Sequence, residues 1–394
     1  MDVEEKAAET TAGPDEASRP GDRAARWRWL GVPLGIYAAT RVVQLALIAW
    51  MLPDGGTATV TSRLLSWDAG WFVKVAREGY PHGYSYDSTG RLTGNGLAFF
   101  PGYPVLTRVI HEITRLSYED SALTLSWLAG AVAAVLVYAL GRRLYDARVG
   151  TALAVLFCAQ PMSVVLSMAY SEGLFVVFLA AALLAAHRRA WLAAGGFGLA
   201  AALTRPTGAA LAIALAVAAL IELRERGAQR WRAVGGAVLA LLGVPAYLWW
   251  VGARVGEWHA WFDIQTAGWG STFDFGAGAV RFVLTTLRTG EGWIEMSVAL
   301  ILIAAVVTAV AAVARRVWPP LLVYGLIALA LVFGQNGFFH SKPRLLVPVL
   351  LVLVPPALAL SRARPRTAAL VLAGYALFGL WYGAYLITVW RYAI

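Results

Sequence analysis

Cysteine is almost missing from these 394 residues: Cys158 is the only one, and it stands in an apolar run. One thiol excludes an intrachain disulfide and a cysteine-based metal site. Charge is also sparse, with Asp, Glu, Lys and Arg at 14% against 59% hydrophobic residues. That balance excludes an ordinary soluble fold. Lysine occurs only at Lys6, Lys74 and Lys342, so almost every cation is an arginine. Several motifs are absent too. Without G-x-x-x-x-G-K-[ST] there is no P-loop for a nucleotide. Without Asp-x-Asp the usual carboxylate pair for a metal-held nucleotide sugar is missing, and without H-E-x-x-H so is a zinc site of that type. No ten-residue alternation marks a membrane barrel.

What is there is helix for a bilayer. Apolar runs of about 20 residues recur, each long enough to cross a hydrocarbon core. Backbone groups in that core must pair within the span, so each run is expected to be a helix. Eleven spans are expected, at roughly 30–52, 121–141, 148–164, 171–186, 190–203, 207–222, 234–254, 293–314, 318–334, 343–360 and 367–389. Residues 1–26 are polar and are expected to form a disordered cytoplasmic tail. They lack the apolar core and cleavage site of a signal peptide. Residues 27–394 then make up the membrane domain, with Trp27 and Trp29 marking its first interface.

Arginine sets the expected orientation. Arg142, Arg143 and Arg148, Arg188 and Arg189, Arg224, Arg226, Arg230 and Arg232, Arg315 and Arg316, and Arg362, Arg364 and Arg366 fall in one set of short links. The alternate links hold only Arg205, Lys342 and Arg344. By the positive-inside rule the first set is cytoplasmic, and so is the N-terminus with Arg19, Arg23, Arg26 and Arg28. The net charge of +10 is therefore a topology signal, not a nucleic-acid footprint, because no single face gathers it. Two long loops, about 53–120 and 255–292, fall on the outer side. The first is expected to be packed short helices at the interface, given Trp67, Trp71, Phe72, Phe99 and Phe100.

The polar residues near that outer side are the candidates for chemistry. Asp68, between Trp67 and Trp71, is either a general base toward a hydroxyl or the cap of a helix starting near Ala69. Phe99-Phe100-Pro101-Gly102-Tyr103-Pro104 is either a rigid entry to the next helix or one wall of a groove beside Asp68. Glu172 opens a span and either caps, pairs or takes part in catalysis. Arg205, in Thr204-Arg205-Pro206-Thr207-Gly208, either contacts phosphate or pairs with Glu172. Arg41 lies too deep in the first span for an edge anchor and must face the bundle interior or a polar cavity. In the second loop Gln265 and Trp269 suit either a sugar face or a loop resting on lipid headgroups. His340, Ser341, Lys342 and Arg344 gather donors between two apolar runs, either for a lipid phosphate or as headgroup anchors.

In order along the chain, Trp67-Asp68 with Arg77-Glu78-Gly79-Tyr80, Phe99-Phe100-Pro101 with Pro104, Tyr170-Ser171-Glu172, Arg205-Pro206-Thr207-Gly208 and Ser341-Lys342-Pro343-Arg344 resemble the PIG-V-like mannosyltransferases of the multispanning GT-C class. The resemblance implies an all-α, GT-C-like bundle of about eleven transmembrane helices with a long first extracytoplasmic loop. It implies inverting transfer of a sugar, mannose first, from a polyprenyl-phosphate donor to an acceptor hydroxyl, with Asp68 as the catalytic carboxylate. On this reading Arg205, Lys342, Arg344 and His340 hold the donor phosphate. Trp67, Trp71, Arg41, Phe100, Glu172, Gln265 and Trp269 line the substrates. No cofactor is expected, with a divalent metal left open. The partners would be the lipid-linked donor, a lipid, glycan or protein acceptor, and membrane lipids, at the outer face of the cytoplasmic membrane. A flippase for a lipid-linked sugar is the first alternative, and its usual internal repeat is not seen. A non-catalytic scaffold is the second, and it leaves Asp68 and the outer cations unexplained.

Overall fold

The computed structural model describes residues 28–53, 55–290 and 292–393; the tail expected over 1–26 lies outside them. The described chain is almost wholly helical. Each of the eleven apolar runs coincides with helix. Helix α1 (Gly31–Met51) buries Pro33, Tyr37, Thr40, Arg41, Gln44 and Ile48. That three-to-four spacing turns one stripe inward and leaves Val42, Val43 and Trp50 outside. Between α1 and the next long helix come α2 (Val60–Leu64), α3 (Asp68–Glu78), the strands β1 (Ser85–Tyr86) and β2 (Leu92–Thr93), and α4 (Gly102–Thr114).

Helix α5 (Tyr118–Leu144) starts where the Ser117 side chain accepts the Asp120 N–H. Glu119 and Asp120 stand in its first turn and Arg142 and Arg143 in its last, which matches the helix dipole at both ends. Helix α6 (Ala147–Ala159) stops before Pro161, which has no N–H to give. The chain then crosses a short 3-10 turn at Ser163–Leu166 and enters α7 (Glu172–His187). Next are α8 (Trp191–Ala202), α9 (Gly208–Arg224) and α10 (Arg230–Val255). Helices α8 and α10 meet through small residues: a Cβ on Gly195 would lie 2.5 Å from the Gly236 Cα. Such close approach is how helices associate where lipid supplies no hydrophobic drive.

The second loop holds α11 (Ala260–Trp269), β3 (Thr272–Phe273) and α12 (Ala277–Thr289). After α13 (Trp293–Ala314) and α14 (Pro319–Gly334), β4 (Gln335–Asn336) pairs antiparallel with β3, Thr272 opposite Asn336. The expected span 343–360 is not one rod. It is α15 (Lys342–Leu345), a 3-10 turn at Leu350–Leu353 and α16 (Val354–Arg362), with its two halves bent by 76°. Pro348 lies inside the break and restricts the residue before it, while Pro343, Pro355 and Pro356 stand in the first turns of the two pieces, where a missing N–H is tolerated. Helix α17 (Pro365–Thr388) closes the described fold against α1 and α6. Among the described residues, α1, α5, α10, α13 and α17 are individually long and apolar enough to cross a bilayer, and the bent pair adds a broken span.

The first loop is more ordered than a set of short helices. Strands β1 and β2 pair with Ser85 opposite Thr93. Their turn is tied by Asp87, whose Oδ1 accepts the N–H groups of Thr89 and Arg91 at 2.8 and 3.0 Å. Just beyond, Gly94 crosses Gly268 of the second loop so tightly that a Cβ on Gly94 would be 2.6 Å from the Gly268 Cα. Leu97, Ala98 and Phe100 then pack with Tyr247, Val251, Ala260 and Ile264 in an apolar cluster of their own. The two long loops are thereby fastened together and to α10.

Candidate active site

Asp68 is the first residue of α3, preceded by Trp67 at φ 58°. A bulky residue in left-handed backbone is strained and must be held by its surroundings; the half-buried Trp67 ring packs on the main core. The position before the helix carries no side-chain capping bond, and the Asp68 carboxylate turns elsewhere. Its Oδ2 accepts from Arg344 Nη1 at 2.7 Å. The capping alternative for Asp68 is thus set aside by an ion pair between residues 276 positions apart.

Three more groups complete the cluster. Glu172 Oε1 lies 2.8 Å from Arg205 Nη1 and 3.8 Å from Arg344 Nε. Arg205 also donates to the Ser171 hydroxyl at 2.9 Å. Two carboxylates and two guanidinium groups therefore neutralise one another at the meeting point of α3, α7, the link before α9, and α15. The side chains of Arg205, Arg344 and Asp68 are 14%, 13% and 20% exposed, and Glu172 is fully buried. Charges this dry persist only when paired. Arg205 Nε, Arg344 Nε and the Thr207 hydroxyl are buried without a hydrogen-bond partner among the described residues. The two arginines thus retain unengaged N–H groups beside the cluster.

Tyr170 supports both sides of the Asp68–Arg344 pair. The Arg344 guanidinium lies 5.2 Å from its ring centroid, and its hydroxyl accepts the Asp68 N–H at 3.3 Å. The sequence points to the Tyr170-Ser171-Glu172 triplet through its carboxylate; the tyrosine's role was missed, although a ring two residues before a buried acid was the available signal. On the helix face shared with Asp68, Trp71 stacks on Phe99 at 6.2 Å and meets Trp269 edge-on at 6.0 Å. One turn of α3 thus joins a carboxylate to an aromatic shelf contributed by both long loops. Gln265 reaches the same stretch through the Ala98 carbonyl at 3.1 Å, while Phe100 is buried against Tyr247 and Trp261 and serves as packing.

Other expected site residues lie apart from this cluster. Lys342 is 2% exposed and donates to the Val332 carbonyl at 2.6 Å and to the Gln335 carbonyl. It closes the C-terminal end of α14, where helix carbonyls lack partners, so its charge is engaged by backbone and not held out to a phosphate. Arg41 does face the bundle interior, but no cavity: its guanidinium donates to the carbonyls of Ser163, at 2.7 Å, and Cys158, and to the Ser167 hydroxyl at 3.2 Å. It pins the break between α6 and the 3-10 turn. The His340 ring sits among Phe338, Trp390 and Tyr392, in an aromatic group and not in the ion-pair cluster. Glu257, His259 and Asp263 bring possible metal-ligand atoms within 4.8 Å of one another. Tyr84 donates to Asp263 there at 2.9 Å; burial and the two carboxylates raise its phenol pKa and keep it protonated. This group belongs to the loop junction and not to the Asp68 cluster.

ArnT from Cupriavidus metallidurans in the apo state superimposes with a TM-score of 0.51 over 91% of this chain and 63% of its own, at 18% identity. The same enzyme bound to undecaprenyl phosphate gives 0.52 over 87% and 62%, at 19% identity. The Archaeoglobus fulgidus oligosaccharyltransferase tethered to an acceptor peptide gives 0.51 over 92% and 56%, at 14% identity. The fold is GT-C. In sequence, residues 101–250 match the family described as dolichyl-phosphate-mannose-protein mannosyltransferase. Human GPI alpha-1,6-mannosyltransferase 2 is 32% identical over 141 residues, 32% of this chain and 26% of that protein. The chain thus aligns with about a quarter of the human relative and less than two thirds of ArnT. The PIG-V-like resemblance read from the ordered motifs is borne out by this match, and the all-helical GT-C expectation by the superpositions.

Proposed function

We propose that this protein is an inverting glycosyltransferase, a mannosyltransferase in the first instance, that moves a sugar from a polyprenyl-phosphate donor to an acceptor hydroxyl. One observation carries the reading: Asp68 is paired with Arg344 beside Glu172 and Arg205. A carboxylate that can take a proton stands next to two cations that can hold a leaving phosphate. The family matched by residues 101–250 and the human relative are both named as mannosyltransferases, and ArnT has been solved with undecaprenyl phosphate. These support a lipid-phosphate donor.

In the proposed reaction the acceptor O–H gives its proton to Asp68. The acceptor oxygen attacks the anomeric carbon from the face opposite the phosphate. The bond between anomeric carbon and phosphate oxygen breaks, its electron pair goes to that oxygen, and Arg205 and Arg344 compensate the charge in a site largely closed to water. Trp71, Phe99 and Trp269 offer the sugar an apolar face. The protein would act at the outer face of the cytoplasmic membrane, with the N-terminus inside, as the arginine asymmetry supports. Sugar release from polyprenyl-phosphate-mannose by purified protein in detergent, with an acceptor glycolipid mixture, tests the reaction. Absence of transfer and of donor hydrolysis would sink it. Cysteines introduced near Ser88 and Thr272 should react with an impermeant reagent from outside and those near Ala147 and Gln229 should not; the reverse pattern would place the site in the cytoplasm.

A further inference from the structure

The proposed mechanism asks Arg344 to serve two anions. It is to hold the donor phosphate, yet its Nη1 is bonded to the carboxylate that is to act as base. That charge-assisted bond ties up one of the two Asp68 oxygens, so Arg344 competes with the acceptor proton for it. The surroundings show where the guanidinium can go. Glu172, fully buried, already stands 3.8 Å from its Nε, and that Nε has no hydrogen-bond partner among the described residues. The Tyr170 ring lies beside the guanidinium, 5.2 Å from centroid to carbon, and gives it a face to slide along.

We propose that Arg344 is shared between the Asp68 carboxylate and the donor phosphate, so that a seated phosphate loosens its hold on Asp68 Oδ2 and frees that oxygen for the acceptor proton. The favoured order is donor first, then acceptor. Charge accounts for the driving force. The four side chains sum to zero, and a phosphodiester adds one negative charge that draws on the same two cations and weakens their hold on Asp68 or Glu172. Glu172 is fully buried and paired with Arg205 at 2.8 Å, whereas Asp68 is the most exposed of the four. Water compensates Asp68 far more readily than Glu172, so Asp68 is the partner released.

This inference rests on the donor reading above, and its test separates the two. If Asp68 and the phosphate compete for Arg344, then Asp68→Asn, which removes the competing charge but keeps the shape, should bind undecaprenyl phosphate more tightly than wild type. The probe is undecaprenyl phosphate titrated into the full chain in nanodiscs, with affinity read by microscale thermophoresis. A gain of about tenfold is expected, the worth of roughly one released charge-assisted bond. Equal or weaker binding by Asp68→Asn overturns the shared-arginine proposal while leaving a lipid-phosphate site in place. No binding by wild type or Asp68→Asn overturns the donor reading and this proposal with it. Arg344→Gln supplies the control should Asp68→Asn prove poorly folded. It should bind the lipid at least tenfold more weakly than wild type; unchanged binding overturns the proposal independently. In the Arg344→Gln background, a further change of Asp68 to Asn should leave affinity unaltered, and a persisting gain would mean that Asp68 repels the phosphate without Arg344.

Discussion

Arg41 and Arg344 are both guanidinium groups removed from water inside a helical membrane bundle, yet they are used differently. Every hydrogen bond of Arg41 is to backbone carbonyls or serine hydroxyls around the broken end of α6, with the Tyr37 ring 5.7 Å away. Those partners are fixed parts of the fold, and nothing among them can take or give a proton at neutral pH. Arg344 instead faces two carboxylates and an aromatic ring, and Asp68 beside it keeps some exposure. Lys342 belongs with Arg41, although it lies only two residues from Arg344. Rarity and depth of a cation therefore do not distinguish structural from chemical use. The identity of what its donors face does.

Substitutions can break that comparison, and the largest effect should come from Asp68. Asp68→Asn is expected to lower the transfer rate by about 10²–10⁴-fold, as for loss of a general base, with the protein still folded; near-normal turnover would move attention to Glu172. Next, Arg344→Ala should raise donor KM roughly tenfold or more, whereas Arg41→Met should leave donor KM alone in whatever protein survives. Arg41→Met instead orphans buried carbonyls, at about 1–3 kcal/mol for each unsatisfied group, so a lowered Tm is its expected signature. If the two variants share one kinetic pattern, the distinction between them fails. Lys342→Met should resemble Arg41→Met, with reduced Tm and unchanged KM; a donor-specific defect would restore Lys342 to the phosphate site. The smallest effect is expected from Tyr170→Phe. It keeps the ring beside Arg344 and loses a hydroxyl bond worth about 0.5–1.5 kcal/mol, so kcat should fall by up to about tenfold while donor KM moves little. Tyr170→Leu should raise donor KM as well.

The sequence made much of this legible because hydropathy has a strong physical basis: each of the eleven apolar runs holds helix near its expected position, with those at 148–164 and 343–360 broken part-way. Asp68, Glu172, Arg205 and Arg344 were legible for a related reason, since ionisable residues beside lipid are costly and rarely idle. The hidden part concerns partners. Arg41 finds its acceptors more than 115 residues away, and no local spacing encodes that pairing. Lys342 looked like a donor because its acceptors are carbonyls, which every sequence has and none advertises. The strands β1 to β4 are two residues each, too short for any alternation to register. The bend within 343–360 has its sequence signal in Pro348, and the apolar content on either side of it outweighs that one residue when the segment is read as a single span.

The anchoring of Lys342 also bears on speed. Its ammonium ties the start of α15 to the end of α14 through two carbonyls, and Arg344 leaves the same single turn two residues later. Any exchange of partners by Arg344 is consequently a rotation about side-chain bonds, not a displacement of main chain. Such rotations are faster by orders of magnitude than collective helix or lid motions on the microsecond-to-millisecond scale. Release of Asp68 Oδ2 should then be kinetically silent, leaving no lag after donor addition. The slow steps of a turnover would lie with the long lipids themselves, as they slide in from the bilayer and back out.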